Sequence, residues 1–332
     1  MQPTPEQAGV LAAGASRSWA SRIFPALRHG NAADRVYGLA LGAFGLSIPV
    51  LFAFILVRVG TAAWPSLDRF GAGFLTSSSW NPVAGEYGAL PFIFGTLASS
   101  VLALLIAVPL AVGLAIFLTE LAPRWIAAPV AFGTELLAAI PSVVYGLWGI
   151  FVLVPWLRES VQQPLVRALG DRIPLFAGPA YGTSIMAGGA ILAIMIVPFI
   201  SAVSREVLAA VPRDQREAAL ALGATRWEMT WQIVVPYAVP GIIGATILGL
   251  GRALGETIAI TMVIGNRPDI PTSLFAPGYT MASVLANEFS EASDEMHLAA
   301  LMEIGLVLFG ITILVNSVAR LLVWRVAQRA GK

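Results

Sequence analysis

"SREVLAAVPRDQREAALALGATRWEMTWQIVVP", residues 204–236, is a polar, helix-forming interruption in a mostly apolar chain. Pro212 and Asp214 open a helix here. Proline lacks the N–H that a first turn leaves unused, and a carboxylate suits the positive end of the helix dipole. Gly223 closes it, because glycine accepts the left-handed conformation that ends a helix. The spacing predicts a helix of about ten residues with small side chains at Ala218 and Ala219. Thr225 and Glu228 then form a T-x-x-E capping box that starts a second helix. A short helix with small residues on its face, bounded by two breaks, lets a partner's groove approach its backbone closely. It reads as a docking element; the plainer alternative is a connecting loop that happens to be helical.

Apolar runs long enough to cross a bilayer flank this loop, 180–203 before it and 237–265 after it. Four more lie at 36–58, 91–119, 126–157 and 298–324, so an all-α membrane protein with six spans is expected. Pro49, Pro109, Pro141 and Pro198 sit inside spans and read as kinks tolerated within a packed bundle. Composition agrees: 57% of the 332 residues are hydrophobic and 12% charged, where a soluble domain carries roughly 25% charged residues.

An even number of spans puts both termini on one side. With that side inward, the inner segments hold thirteen Lys/Arg: Arg17, Arg22, Arg28, Arg35, Arg124, Arg205, Arg213, Arg216, Arg226, Arg320, Arg325, Arg329 and Lys332. The outer loops hold five: Arg69, Arg158, Arg167, Arg172 and Arg267. The asymmetry favours cytoplasmic N and C termini, although three arginines in 158–179 dissent. The expected domains are a cytoplasmic tail over 1–35, a transmembrane domain over 36–325 and a tail over 326–332. Within the first tail, "SRSWASRIFPALRHG" suits either a short interfacial helix or a plain basic segment.

Several functions are excluded by what the chain lacks. Without cysteine there are no disulfides, thiolate metal sites or Cys nucleophile. His29 and His297 lie outside the spans and far apart, which disfavours a His-based metal cluster or catalytic dyad. A net charge of +1 offers nothing to nucleic acid. No Walker A pattern occurs, so ATP-driven work would need another polypeptide.

"EAALALG", followed by nine residues and "IVVP", resembles the EAA loop of ABC-importer permeases, E-A-A-x3-G-x9-I-x-L-P. Glu217, Ala218, Ala219, Gly223, Ile233 and Pro236 meet the pattern, and Val235 replaces the usual leucine. "GRALGETIAITMVIGN", "SLFAPGYTMASVLANEF" and "WNPV…GALPFIFGTL" are similar to PstC-type permease subunits of phosphate-specific importers. That resemblance implies a type I ABC-importer permease in the bacterial cytoplasmic (inner) membrane. Its partners would be a PstA-type second permease, two PstB-type ATPases and a PstS-type extracytoplasmic phosphate-binding protein. Glu217, Ala218, Ala219 and Gly223 would couple to the ATPase. ATP and Mg would be used there, and this chain would bind no cofactor. Asn287 and Glu288 are candidates for an outer gate or receptor contact.

Arg252 and Glu256 are the charges that need most explanation. Each charge near a bilayer centre costs about 2.5–3.5 kcal/mol on insertion scales. Read as one continuous helix, 237–265 would set them on one face, able to pair. The guanidinium fork suits an oxyanion, so both are expected to line a translocation path, unless they form a purely structural ion pair. Gly249, Gly251 and Gly255 read as close helix packing at a subunit interface. Glu135 and Glu303 read as structural. Other tetrahedral oxyanions, sulfate and molybdate, are alternative cargoes. A secondary transporter with a proton relay of Glu135, Arg252 and Glu256 is a rival that leaves the EAA loop unexplained. A membrane-embedded enzyme lacks any His, Cys or metal constellation.

Overall fold

Pro141 does more than kink its span. Ile140 and Pro141 are both extended, at ψ 129° and 140°, as expected where a proline restricts its predecessor to non-helical backbone. In the computed structural model, which describes residues 32–330, the third span is therefore two helices. α3 (Arg124–Ala139) and α4 (Ser142–Leu169) meet at 94°. Among the described residues five further helices are long and apolar enough to cross a membrane: α1 (Ala32–Phe70), α2 (Leu90–Leu121), α5 (Ile185–Ala209), α7 (Arg226–Leu254) and α10 (Glu295–Ala330). With the bent pair counted as one, the six expected spans are present. Residues 158–179, expected as an outer loop, begin with the last turns of α4. Between α5 and α7 lies α6 (Arg213–Ala221), and between α7 and α10 lie α8 (Ile258–Ile264) and α9 (Met281–Glu288). The proposed interfacial segment at 16–30 lies outside the described residues.

By contacts the chain divides into two units, Met1–Arg58 and Val59–Lys332. In the first, the described stretch of α1 is continuous through Pro49 and its apolar side chains are exposed, from Val36 to Val57. The second holds the core. α5 is its centre, with two thirds of its apolar window (67%) buried. Ala103, Ala107 and Ala111, one turn apart on α2, form a small-residue face against Leu192, Ala193, Ile196 and Ile200 of α5. Backbones then approach closely, which is how spans pack where lipid is as apolar as the side chains. Gly249 of α7 belongs to this core. A Cβ there would fall 2.6 Å from the Ile200 side chain, whereas Gly251 has nothing within 4 Å. Gly249 thus packs inside the chain, not at a subunit interface.

A second core ties the end of the bundle remote from α6. Phe74, Tyr87, Phe92, Tyr279, Met281, Val284 and Leu301 bury together there. Gly95 on α2 carries the backbone of Tyr279 directly, since a Cβ would come within 2.1 Å of the Tyr279 carbonyl oxygen. At the next residue, Thr96 Oγ1 accepts the Met281 N–H at 2.9 Å and fixes the start of α9.

Candidate functional site

Three places carry the charged side chains singled out in the sequence, and the first is a break in α7. Gly255 ends the helix at φ −94°, ψ 0°, and a new seven-residue helix, α8, starts after Thr257. The continuous helix expected over 237–265 is therefore corrected, and with it the pairing of Arg252 and Glu256. Among the described residues no ion pair joins them. Glu256 instead accepts the Ala259 N–H at 3.3 Å and caps α8, where the positive end of the dipole favours a carboxylate. Arg252 is exposed and Glu256 partly so. Asn266 donates to the Thr261 carbonyl at 2.9 Å beyond the far end of α8, and Gly265, at φ +96°, takes the left-handed turn that a side chain would strain.

The break in α7 adjoins the break between α3 and α4. Gly146 of α4 lies against α8, where a Cβ would be 3.2 Å from the Ala259 Cα, and Gly149 lies against Val263. Tyr145 closes the elbow by donating to the Leu137 carbonyl at 2.7 Å, near the end of α3, where the same oxygen also accepts the Ile140 N–H at 3.3 Å. A cleft of about 440 Å³, lined by Gly255, Thr257, Leu285 and Phe289 among others, opens onto the same break. Neither Tyr145 nor the elbow was foreseen from sequence, although the Ile140–Pro141 pair carried a signal for it.

The second place is α6. Its first residue is Arg213 after Pro212, and it ends with Leu222 as cap and Gly223 at φ +87°. Gly223 N–H bonds the Leu220 carbonyl at 3.0 Å and Ala224 N–H bonds that of Ala219 at 3.1 Å, the double closure of a Schellman motif. Thr225 and Glu228 form the full capping box. Glu217 and Ala218 are exposed, Ala219 is buried, and Leu222 stands 89% exposed at the tip. Beneath the helix, Arg216 pairs with Glu120 of α2 at 2.9 Å, a partnership across 96 positions that no local signal announces.

The third place is remote from α6. Glu288 Oε2 accepts the Trp80 Nε1–H at 2.9 Å and lies 3.1 Å from His297 Nε2. Asn287 donates to the Tyr279 hydroxyl at 3.0 Å. Burial, before any charge, pushes the Tyr279 and Tyr87 hydroxyls above their usual range, and both stay neutral. Asn287 and Glu288 thus belong to a knot joining 80–87 to α9 and α10. Of the other acids, Glu135 pairs with Arg205 at 2.7 Å, linking α3 to α5, and Glu303 is buried facing Ser66. Among the described residues no three His, Asp or Glu side chains cluster as metal ligands.

Residues 107–331 match the family described as "Binding-protein-dependent transport system inner membrane component". The chain belongs to that family. Within it, the chain is 48% identical to the phosphate transport system permease protein PstC of Pasteurella multocida over 87% of this chain and 91% of the relative. It is 46% identical to PstC of Mesorhizobium japonicum, covering 90% and 92% of the two chains. PstC 2 of Mycobacterium tuberculosis is 41% identical, with 89% and 93% covered. A chain of a bacterial ABC transporter involved in alginate import shares the fold at a TM-score of 0.54 and 19% identity, over 87% of this chain and 97% of that one. As an inner membrane component of a transport system, the chain is a multi-span permease whose work is passage of cargo rather than bond chemistry. The resemblance drawn from the EAA-like loop is borne out.

Proposed function

We propose that this chain is one of two permease subunits of an ATP-driven importer and forms the path for inorganic phosphate past Arg252 and Glu256. One observation carries the reading: two spans break side by side, and an exposed guanidinium and a partly exposed carboxylate stand there. Irregular backbone at membrane depth persists only when protein buries it or when it lines a water-filled cavity. Gly255 and Pro141 are exposed in the single chain. A cavity shared with a second, PstA-type permease accounts for both breaks and for both charges. Arg252 can donate two parallel hydrogen bonds to adjacent phosphate oxygens. Glu256 is already held by a helix start, so it leaves the guanidinium free for cargo. A single arginine binds its cargo weakly, as a conduit requires, and tight capture falls to a PstS-type extracytoplasmic protein.

The α6 helix suits an ATPase dock. Its exposed face offers Glu217 and Ala218, and Leu222 projects beyond the last turn. Two PstB-type ATPases would bind and hydrolyse ATP with Mg, and their closure would move α6 and open the spans outward. The thirteen-to-five Lys/Arg asymmetry supports N and C termini in the cytoplasm of a bacterium, with α6 on that side. Arginine chemistry does not separate phosphate from sulfate or molybdate; the names of the relatives favour phosphate. Radiolabelled phosphate uptake into vesicles holding the full complex tests the proposal. Uptake should require ATP and resist a large excess of sulfate or molybdate, and competition at equal concentration by either anion would overturn the assignment of cargo.

A further inference from the structure

Arg216 differs from the other paired arginines in the number of partners its terminal nitrogens hold. Its Nη1 donates to the Val211 carbonyl at 2.8 Å, and its Nη2 donates to the Leu208 carbonyl at 2.7 Å and to Glu120 Oε1 at 2.9 Å. Leu208 lies in the last turn of α5, where the helix dipole is negative, and Val211 lies in the short link from α5 to α6. Glu120 sits in the π-helical last turn of α2, Phe117–Leu121. Arg216 itself is on α6. One guanidinium therefore binds three elements, and both partners are largely enclosed, at 18% and 7% side-chain exposure. The Arg205–Glu135 pair, at 28% and 57%, is far more open and has one contact. Around Arg216 the packing is also tight: Ala115 and Ile116 of α2, Leu208 and Val211, and Ala219 of α6 share one cluster.

We propose that Arg216 is a positioning residue that fastens α6 to the ends of α2 and α5, so that movement of α6 is delivered to those two spans through the Arg216–Glu120 contact. The proposal rests on the reading of α6 as an ATPase dock. Breaking an enclosed ion pair by removing one partner is costly, and the two carbonyl bonds keep Arg216 in place when Glu120 alone is changed. Glu120→Gln therefore weakens the connection to α2 and leaves that to α5 intact.

The test uses the assembled complex with its ATPases, its binding protein and labelled phosphate, and reads phosphate moved per ATP hydrolysed. Because the chain has no cysteine, spin labels placed by Leu222→Cys and Leu121→Cys also report the distance between α6 and the end of α2. The expected result for Glu120→Gln is a loss of roughly fivefold or more in phosphate per ATP, the lower bound of a coupling between sites. ATP hydrolysis should continue and the label distance should spread, while Glu120→Asp stays near wild type. Wild-type transport per ATP with an unchanged label distance in Glu120→Gln would overturn the proposal. If Glu120→Gln fails to assemble, Arg216→Lys, which keeps the charge but loses the fork, is judged by the same two readings. A wild-type complex that moves no phosphate would refute the assigned cargo and leave the fastening to the labels. A distance constant across nucleotide states in wild type and spread in the variant supports it; equal spread in both refutes it.

Discussion

Arg252 is charged, exposed and without an ion-pair partner among the described residues, while Arg205 and Arg216 each hold a carboxylate. That difference makes it the residue whose loss should be felt in transport rather than in folding. Charge-assisted hydrogen bonds contribute about 1.5–3 kcal/mol, so Arg252→Gln is expected to lower phosphate uptake roughly tenfold to a hundredfold with normal assembly. Arg252→Lys should fall between, because an ammonium keeps the charge and loses the paired donors. Uptake by vesicles matched for complex content reads both. The sequence displayed the two charges but not their separation. Gly255 looked like one more packing glycine, and nothing local distinguishes a glycine that fits between helices from one that ends a helix.

At the scale of elements, legibility follows range. Gly223 and the Thr225–Glu228 box act within four residues of themselves, and the ends they predicted for α6 and α7 are those observed. Pro141 was read as a kink because prolines inside spans usually are. The extended Ile140 before it and the Tyr145 hydroxyl after it turn the kink into an elbow. The Trp80–Glu288 bond joins positions 208 apart in sequence, which no periodicity encodes. Gly95 shows the same limit: in sequence it is a glycine near the start of a span, and in the fold it is the seat of Tyr279. Gly95→Ala should therefore destabilise the protein by about 1–3 kcal/mol, the cost of overpacking. Gly113→Ala on the same helix, with nothing within 4 Å of its Cβ, should be neutral or mildly stabilising. Thermal unfolding of the two purified variants makes the comparison.

At the scale of the molecule, the six-span count could be read from the sequence because hydropathy reports length directly, whereas orientation rested on a charge asymmetry with one dissenting segment. The absence of cysteine makes orientation easy to measure. Val83, 98% exposed, and Leu222, 89% exposed, lie at opposite ends of the bundle. In intact cells a membrane-impermeant maleimide should modify Val83→Cys and reach Leu222→Cys only after permeabilisation; the reverse pattern would invert the topology. The two ends are also joined by a single helix. α2 carries the Tyr279 seat at Gly95 and the Arg216 contact at Glu120, 25 residues and about 37 Å apart at 1.5 Å per residue. On the reading of α6 as an ATPase dock, it would act as a push-rod: a stroke applied at one tip would arrive at the other without a relay of intermediate parts. Shutting the inner mouth and loosening the outer lip would then need no clock to keep them in step, because both would be strokes of the same rod.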